Sequence, residues 1–294
     1  MPLTRMLDIV GPARAAGRGV GAFNVIGIEH AEAIVAGAEA AAAPVVLQIS
    51  ENCVAYHGAL EPIAGACLSI ARSAAVPVAV HLDHATTVDL VHAGARLGLG
   101  SVMYDASALP YGANVQATAE VAAWCQPRGL WVEAELGEIG GKNGVHDPRA
   151  RTDPDQAAGY VAATGVDALA VAVGSSHAML TRDAVLDLGL IARIRRAVPV
   201  PLVLHGSSGV PDTALAAAIR AGMTKINIAT QLNKVFTAAV RHSLGGDAAL
   251  VDPRRYGSAG RDAIAPEVAR LLGVISAGSP VRAGGAGEPL SPVE

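Results

Sequence analysis

Val76-Pro-Val-Ala-Val-His-Leu-Asp-His-Ala85 is an apolar run that ends with an acid and a histidine side by side. Its first five residues, Val76–Val80, read as a buried strand. A continuous apolar run with no polar alternation suits a strand covered on both faces. Two later stretches finish the same way. Ala168–Gly174 leads into Ser175-Ser176-His177, and Pro201–Leu204 leads into His205-Gly206-Ser207-Ser208-Gly209. Histidines closing three apolar runs point to one shared site. The remainder of the chain then reads as the scaffold that brings those ends together.

Working outward, strands and helices alternate along the chain. Predicted strands cover Gly19–Val25, Pro44–Ser50, Val76–Leu82, Ser101–Asp105, Leu130–Ile139, Ala168–Gly174, Pro201–Leu204 and Lys225–Ala229. Helices are predicted over Glu29–Ala42, Leu60–Ala74, Val88–Leu97, Ala113–Cys125, Pro154–Thr164, Leu186–Ala197, Asp212–Ala221 and Gln231–Leu244. Asp153 supplies an N-cap ahead of Pro154, a pairing that marks a helix start. Eight such units predict a parallel sheet closed into a single (β/α)8 TIM barrel, an α/β fold. The competing doubly wound open sheet lacks the glycine pattern expected after its first strand. A further helix over Asp262–Ser276 forms a C-terminal helical extension, so the barrel domain is expected to span residues 1–278. Ser279–Glu294, rich in Gly and Pro, is expected to be a disordered tail.

Composition narrows the possibilities. The chain has 294 residues, of which 51% are hydrophobic but only 3% aromatic, so small aliphatic side chains must build the core. Net charge is −4 with no basic stripe, which argues against nucleic acid as a partner. No apolar run approaches the roughly 18 residues of a membrane span, and Met1–Asp8 has no signal-peptide pattern. Cys53, Cys67 and Cys125 are isolated, which fits buried thiols in a reducing cytoplasmic setting.

Catalytic zinc often has three protein ligands and one open position, and His84, His177 and His205 can supply that set. The other six histidines read as packed or loop residues. Asp83, beside a candidate ligand, is placed to act as a general base or acid, or alternatively to orient a histidine. Glu133 and Glu135 alternate on one strand and face the same way, either as part of the site or in an ion pair with Lys225 or Arg96. Gly206–Gly209 and Ala229-Thr230 each precede a helix, an arrangement that barrels use to hold phosphate.

These stretches closely resemble the class II, zinc-dependent ketose-bisphosphate aldolases, the fructose-bisphosphate and tagatose-bisphosphate enzymes. The similarity is carried by His81-Leu82-Asp83-His84, Ser101–Ser107, Val132–Gly137, Gly140-Gly141, Val173–His177, Leu204–Gly209 and Lys225–Thr230. It runs in order from about Phe23 to Leu272. The resemblance implies aldol cleavage of a ketose (bis)phosphate to dihydroxyacetone phosphate and an aldehyde. His84, His177 and His205 would bind zinc, with Glu135 beside them near an alternative zinc position. Asp83 would move a proton, and Asn227 would contact the enediolate. Gly206, Ser208, Ala229 and Thr230 would hold the phosphate, joined by Ser50, while Asn24 lines the pocket. A monovalent cation, Na+ or K+, would sit near the phosphate on backbone oxygens around Ala178 and Gly206. A homodimer or homotetramer is also implied.

The chain departs from the family pattern in places. Acidic residues usually follow Gly140-Gly141, but here Lys142-Asn143-Gly144 stand there, leaving His146 or Asp147 as substitutes for the proton shuttle. Ala229-Thr230 looks more like the tagatose-bisphosphate subgroup. No partner-subunit arginine for a distal phosphate is evident beyond Arg254, Arg255 and Arg261 as candidates. The missing carboxylate keeps open a non-catalytic or altered-activity sugar-phosphate-binding paralogue, and a metal-dependent barrel hydrolase is a third reading.

Overall fold

Eight parallel strands close into a barrel in strict sequence order, the last pairing with the first. The computed structural model describes residues 2–136, 151–177 and 179–276. The strands are β1 (Val20–Asn24), β2 (Val45–Ser50), β3 (Val78–Ala85), β4 (Ser101–Tyr104), β5 (Trp131–Glu135), β6 (Ala168–Ala170), β7 (Leu202–Leu204) and β8 (Met223–Ile228). The helices between and around them are α1 (Met6–Ala15), α2 (Ile28–Ala40), α3 (Glu51–His57), α4 (Glu61–Ser73), α5 (Val88–Leu97), α6 (Tyr111–Cys125), α7 (Pro154–Thr164), α8 (Leu188–Ala197), α9 (Asp212–Ala221), α10 (Thr230–Gly246) and α11 (Pro253–Ser276). The expected TIM barrel with a C-terminal helical extension is the observed fold. The proposed tail, Ser279–Glu294, lies outside the described residues.

Local chemistry sets the helix ends. Thr87 Oγ1 accepts the Leu90 N–H to start α5, and Gly98 at φ 85° stops it. Asp153 accepts the N–H groups of Asp155 and Gln156, as its place before Pro154 predicts. Two helices, α1 and α3, were not anticipated, and a third, α11, starts earlier than expected. Met6, Ile9, Val10 and Ala13 follow the i, i+3, i+4, i+7 helical spacing in α1, but Gly11 and Pro12 obscured it. Ser50 caps α3 by accepting the Cys53 N–H, and Gly58 in the left-handed region ends that helix. α11 begins at Pro253 rather than Asp262, directly after Asp252, whose carboxylate accepts the Arg254 N–H.

Strand register sorts the barrel interior by depth. Its lower part is apolar: Val20, Ala22, Val46, Ala79, Met103, Trp131, Ala168, Ala170 and Val203 pack with the buried face of α1. α1 therefore plugs the N-terminal mouth, and its lead-in runs beside β3 through Thr4 N–H to Val78 O at 2.8 Å. Closer to the C-terminal mouth the lining turns polar. Gln48 pairs in register with His81, Ser50 with Asp83, and Asn24 with Gln48. Outside, the strands' other faces join the helices in one large aliphatic core that includes Cys53, Cys67 and Cys125. All three thiols are free, and burial pushes Cys67 up to about 12 and Cys125 to about 11. Among the described residues no single helix is long and apolar enough to cross a membrane.

Because Ile9 is 3% exposed within the plug, Ile9→Ala should destabilise the protein by about 2–4 kcal/mol, the usual range for emptying a buried aliphatic site. Urea denaturation monitored by circular dichroism checks this through a lowered midpoint at unchanged slope.

Candidate active site

Strand alternation alone would send Asp83 inward and His84 outward. The backbone breaks that rule: His84 adopts φ 54°, a left-handed conformation that non-glycine residues rarely take. The β3–β4 register shifts between Leu82 and Ala85 at the same place. The bulge turns both side chains into the mouth of the barrel. Such strain costs about 1–3 kcal/mol and is characteristic of functional positions.

His84, His177 and His205 converge there. Their ring centroids lie 4.8–5.5 Å apart, with interplanar angles of 71°, 87° and 90°. One donor atom from each falls within 4.8 Å of the others. His84 Nε2 and His205 Nδ1 are 3.1 Å apart, close to the roughly 3.3 Å expected between two nitrogens on one tetrahedral zinc. The loops after β6 and β7 come close because Gly206, at φ 67°, has no side chain; a Cβ there would lie 2.4 Å from Ser176 O. Ser175 Oγ also donates to His205 O at 2.7 Å, tying the two loops together.

Carboxylates behind the histidines fix their tautomers. Asp105 Oδ2 accepts from His84 Nδ1 at 2.6 Å, which leaves Nε2 as the lone-pair donor. Glu133 Oε1 accepts from His205 Nε2 at 3.0 Å, which leaves Nδ1 free to ligate. Asp105 is held in turn by the Ser107 N–H and hydroxyl. This carboxylate–histidine pattern is how metal-binding imidazoles are commonly oriented. A second donor group, His84, Asp105 and Glu135, lies adjacent. Burial opposes a charge on His84, but Asp83, the hydrogen bond to Asp105, and Glu135 outweigh it and raise the imidazole to about 9. A field that stabilises a proton there stabilises any cation, so the donor set fits a divalent metal. His205 is pushed well below its usual range, first by burial and then by His84.

Asp83 is buried. Its Oδ2 accepts from Asn24 Nδ2 at 3.3 Å, while Oδ1 has no hydrogen-bond partner among the described residues. Asn24 is itself braced by Gln48 Nε2 at 3.1 Å. Asn227 Oδ1 accepts from Lys225 Nζ at 2.9 Å, which turns its amide donors to the other side. Lys225 is fully buried and lies 2.8 Å from Glu133 Oε2. The ion-pair reading of Glu133 therefore holds, while Glu135 points into the second donor group. The phosphate-loop candidates meet through Ser208, whose Oγ accepts the N–H groups of Ala229 (3.2 Å) and Gln231 (3.1 Å). That hydroxyl bridges the Gly206–Gly209 turn to the start of α10, where Thr230 stands. Ser50 Oγ is engaged in capping α3. Ala178, Gly140-Gly141, Lys142, Asn143, His146 and Asp147 lie outside the described residues. Arg254, Arg255 and Arg261 sit in surface ion pairs with Asp252, Asp247, Asp262 and Glu32.

Asp105 and Glu133 orient histidines, roles that no motif in the sequence marks. His81, expected to be a packing residue, is fully buried in the barrel interior, 2.6 Å from Ser101 Oγ and 3.8 Å from Glu133 Oε2. Burial, and then the Lys225 charge, push it well below its usual range. The available signal was parity: His81, Asp83, Glu133 and Glu135 all fall on inward positions.

Three histidines converging at the C-terminal mouth of a (β/α)8 barrel, beside two loops that each open a helix, form a candidate metal centre. The family model for class-II fructose-bisphosphate aldolase matches residues 4–278, and the chain belongs to that family. A fructose-bisphosphate aldolase of Geobacillus stearothermophilus is 37% identical over 268 residues, covering 90% of this chain and 93% of that one. Among solved structures, the YdjI aldolase of Escherichia coli K12 superposes with a TM-score of 0.82 at 31% identity, over 93% of this chain and 97% of its own. A candidate fructose-1,6-bisphosphate aldolase from Coccidioides immitis gives a TM-score of 0.83 at 28% identity, over 92% and 96%. The protein is thus an aldolase-family lyase whose substrates are sugar phosphates.

Proposed function

We propose that the protein cleaves a ketose 1-phosphate or 1,6-bisphosphate reversibly to dihydroxyacetone phosphate and an aldehyde such as glyceraldehyde 3-phosphate, with one Zn2+ per subunit on His84, His177 and His205. The observation that carries this is the convergence of three imidazoles from three separate strand ends, two with carboxylate-fixed tautomers. Bound there, zinc would act as a Lewis acid for the negative charge that develops at the substrate carbonyl.

The chain's own groups do the rest. Asp83 presents an unengaged Oδ1 that can take the proton of the substrate's C4 hydroxyl during cleavage and return it during condensation. Asn227 directs its amide N–H groups toward the enediolate oxygens, held in that sense by Lys225. The Ser208 and Thr230 hydroxyls, the turn at Gly206 and Ala229, and the N-terminus of α10 anchor the phosphate and so fix the carbon chain relative to Asp83. Ser50 and Asn24 border the same mouth, and a monovalent cation near Ala178 and Gly206 would offset phosphate charge. We further propose a cytoplasmic homodimer or homotetramer, and residues 1–278 as the single functional domain.

Lys142-Asn143-Gly144, where a proton-shuttling carboxylate is usual, favours a second reading: a binding paralogue with altered activity. A cleavage screen of fructose-, tagatose- and related phosphates separates the two. The expected result is release of dihydroxyacetone phosphate from at least one substrate, lost with chelator and restored by zinc. Zinc-loaded protein that neither cleaves any of them nor exchanges the α-proton of dihydroxyacetone phosphate would establish the second reading.

A further inference from the structure

At the opposite end of the barrel, five arginines line one cavity of about 630 Å3: Arg14 from the last turn of α1, Arg18 from the segment between α1 and β1, Arg195 and Arg196 from the end of α8, and Arg220 from the end of α9. No acidic residue lines it, and among the described residues none of the five is in an ion pair. Arg14 Nε is buried without a hydrogen-bond partner among the described residues. Burial, and then the charge of Arg195, lower the affinity of Arg14 for its proton.

The simplest explanation for arginines at helix ends is compensation of helix dipoles, and here it falls short. Three helix C-termini together present roughly −1.5 elementary charges. Five guanidiniums, always protonated, present far more. The excess is roughly three to four positive charges, gathered around one half-open pocket, with Arg14 and Arg195 partly buried and Arg18, Arg196 and Arg220 exposed at its rim. The site is also built at the backbone. Gly222 adopts φ 132°, and a Cβ there would lie 2.6 Å from Arg195 Cγ, so the glycine makes room for the arginine stem. Guanidinium forks match phosphoryl oxygens in bidentate geometry. The volume falls within the roughly 300–1,000 Å3 of small-molecule sites.

We propose that this cavity binds a small organic polyphosphate carrying at least two phosphoryl groups, at a site separate from the active-site mouth. The test is isothermal titration calorimetry on the zinc-loaded protein at low salt, with two probes: 2,3-bisphosphoglycerate and ATP. The expected result is binding of at least one probe at micromolar concentration, weakened about tenfold or more in Arg195→Ser/Arg220→Ser. The ranking of the probes then tells a compact bisphosphate from a nucleotide. Aldol cleavage by this variant should stay within about twofold of wild type, since neither arginine is near the mouth. Relief of like-charge repulsion should leave its melting temperature unchanged or raised. If that variant misfolds, Arg195→Lys/Arg220→Lys keeps the charge but loses the fork, and should still weaken binding. Equal affinity in wild type and variant would overturn the proposal. So would the absence of binding at millimolar probe, or a DNA duplex that binds far more tightly than both probes, which would indicate a macromolecular polyanion.

Discussion

Exchanging His205 for alanine should strip the protein of both metal and cleavage activity, whereas Asp83→Asn should remove activity and leave the metal in place. His205 is fully buried and contributes one of three converging nitrogens, its ring held by Glu133 at 3.0 Å. Losing it leaves two imidazoles beside the Asp105 and Glu135 carboxylates, so zinc affinity should fall sharply. Asp83 plays a different part. Its Oδ2 accepts from Asn24, and its Oδ1 has no hydrogen-bond partner among the described residues. Asparagine fills the same volume and keeps an oxygen for Asn24, but it cannot take up a proton. The expected loss in kcat is about 10²- to 10⁴-fold, the usual worth of a positioned general acid or base. Metal analysis by inductively coupled plasma spectrometry, run beside a coupled cleavage assay, reads both variants. Full zinc and full activity in His205→Ala would refute the three-histidine centre. Loss of zinc in Asp83→Asn would place Asp83 among the ligands rather than at the proton.

Much of this site was legible because barrel strands announce themselves as apolar runs that end in polar residues. His177 and His205 needed no more than that. His84 was found for a partly wrong reason, since a regular strand would have pointed it away from Asp83. What brings it inward is a left-handed backbone and a register shift, neither of which leaves a glycine or proline to mark it. Depth was the other blind spot. Alternation shows that Glu133 and Glu135 face inward, but only the stagger between strands shows that Glu133 lies level with Lys225 and His205 while Glu135 lies at the metal group. The plug α1 carries Gly11 and Pro12 within it, two residues of poor helix propensity. Its apolar spacing makes sense only once a barrel mouth exists for it to fill.

The support beneath the metal centre leads to the second large effect, in Glu133. Its carboxylate serves two fully buried partners at once, His205 Nε2 at 3.0 Å and Lys225 Nζ at 2.8 Å. Lys225 in turn fixes Asn227. Glu133→Gln preserves shape but leaves the lysine charge buried without its counter-ion. Breaking one side of a buried ion pair costs about 3–5 kcal/mol. In a chain of this size that lowers the melting temperature by roughly 5–10 °C. His205 simultaneously loses the acceptor that sets its tautomer, which should weaken metal binding about 10- to 100-fold. These two consequences can be separated. Adding Lys225→Met removes the stranded charge, so Glu133→Gln/Lys225→Met should recover most of the lost stability while metal affinity stays low. Differential scanning calorimetry, with zinc competition against a fluorescent chelator, measures both. If the double variant melts as low as the single one, the penalty lies in packing rather than in the stranded charge. If zinc affinity returns along with stability, Glu133 supports the barrel interior but does not orient His205.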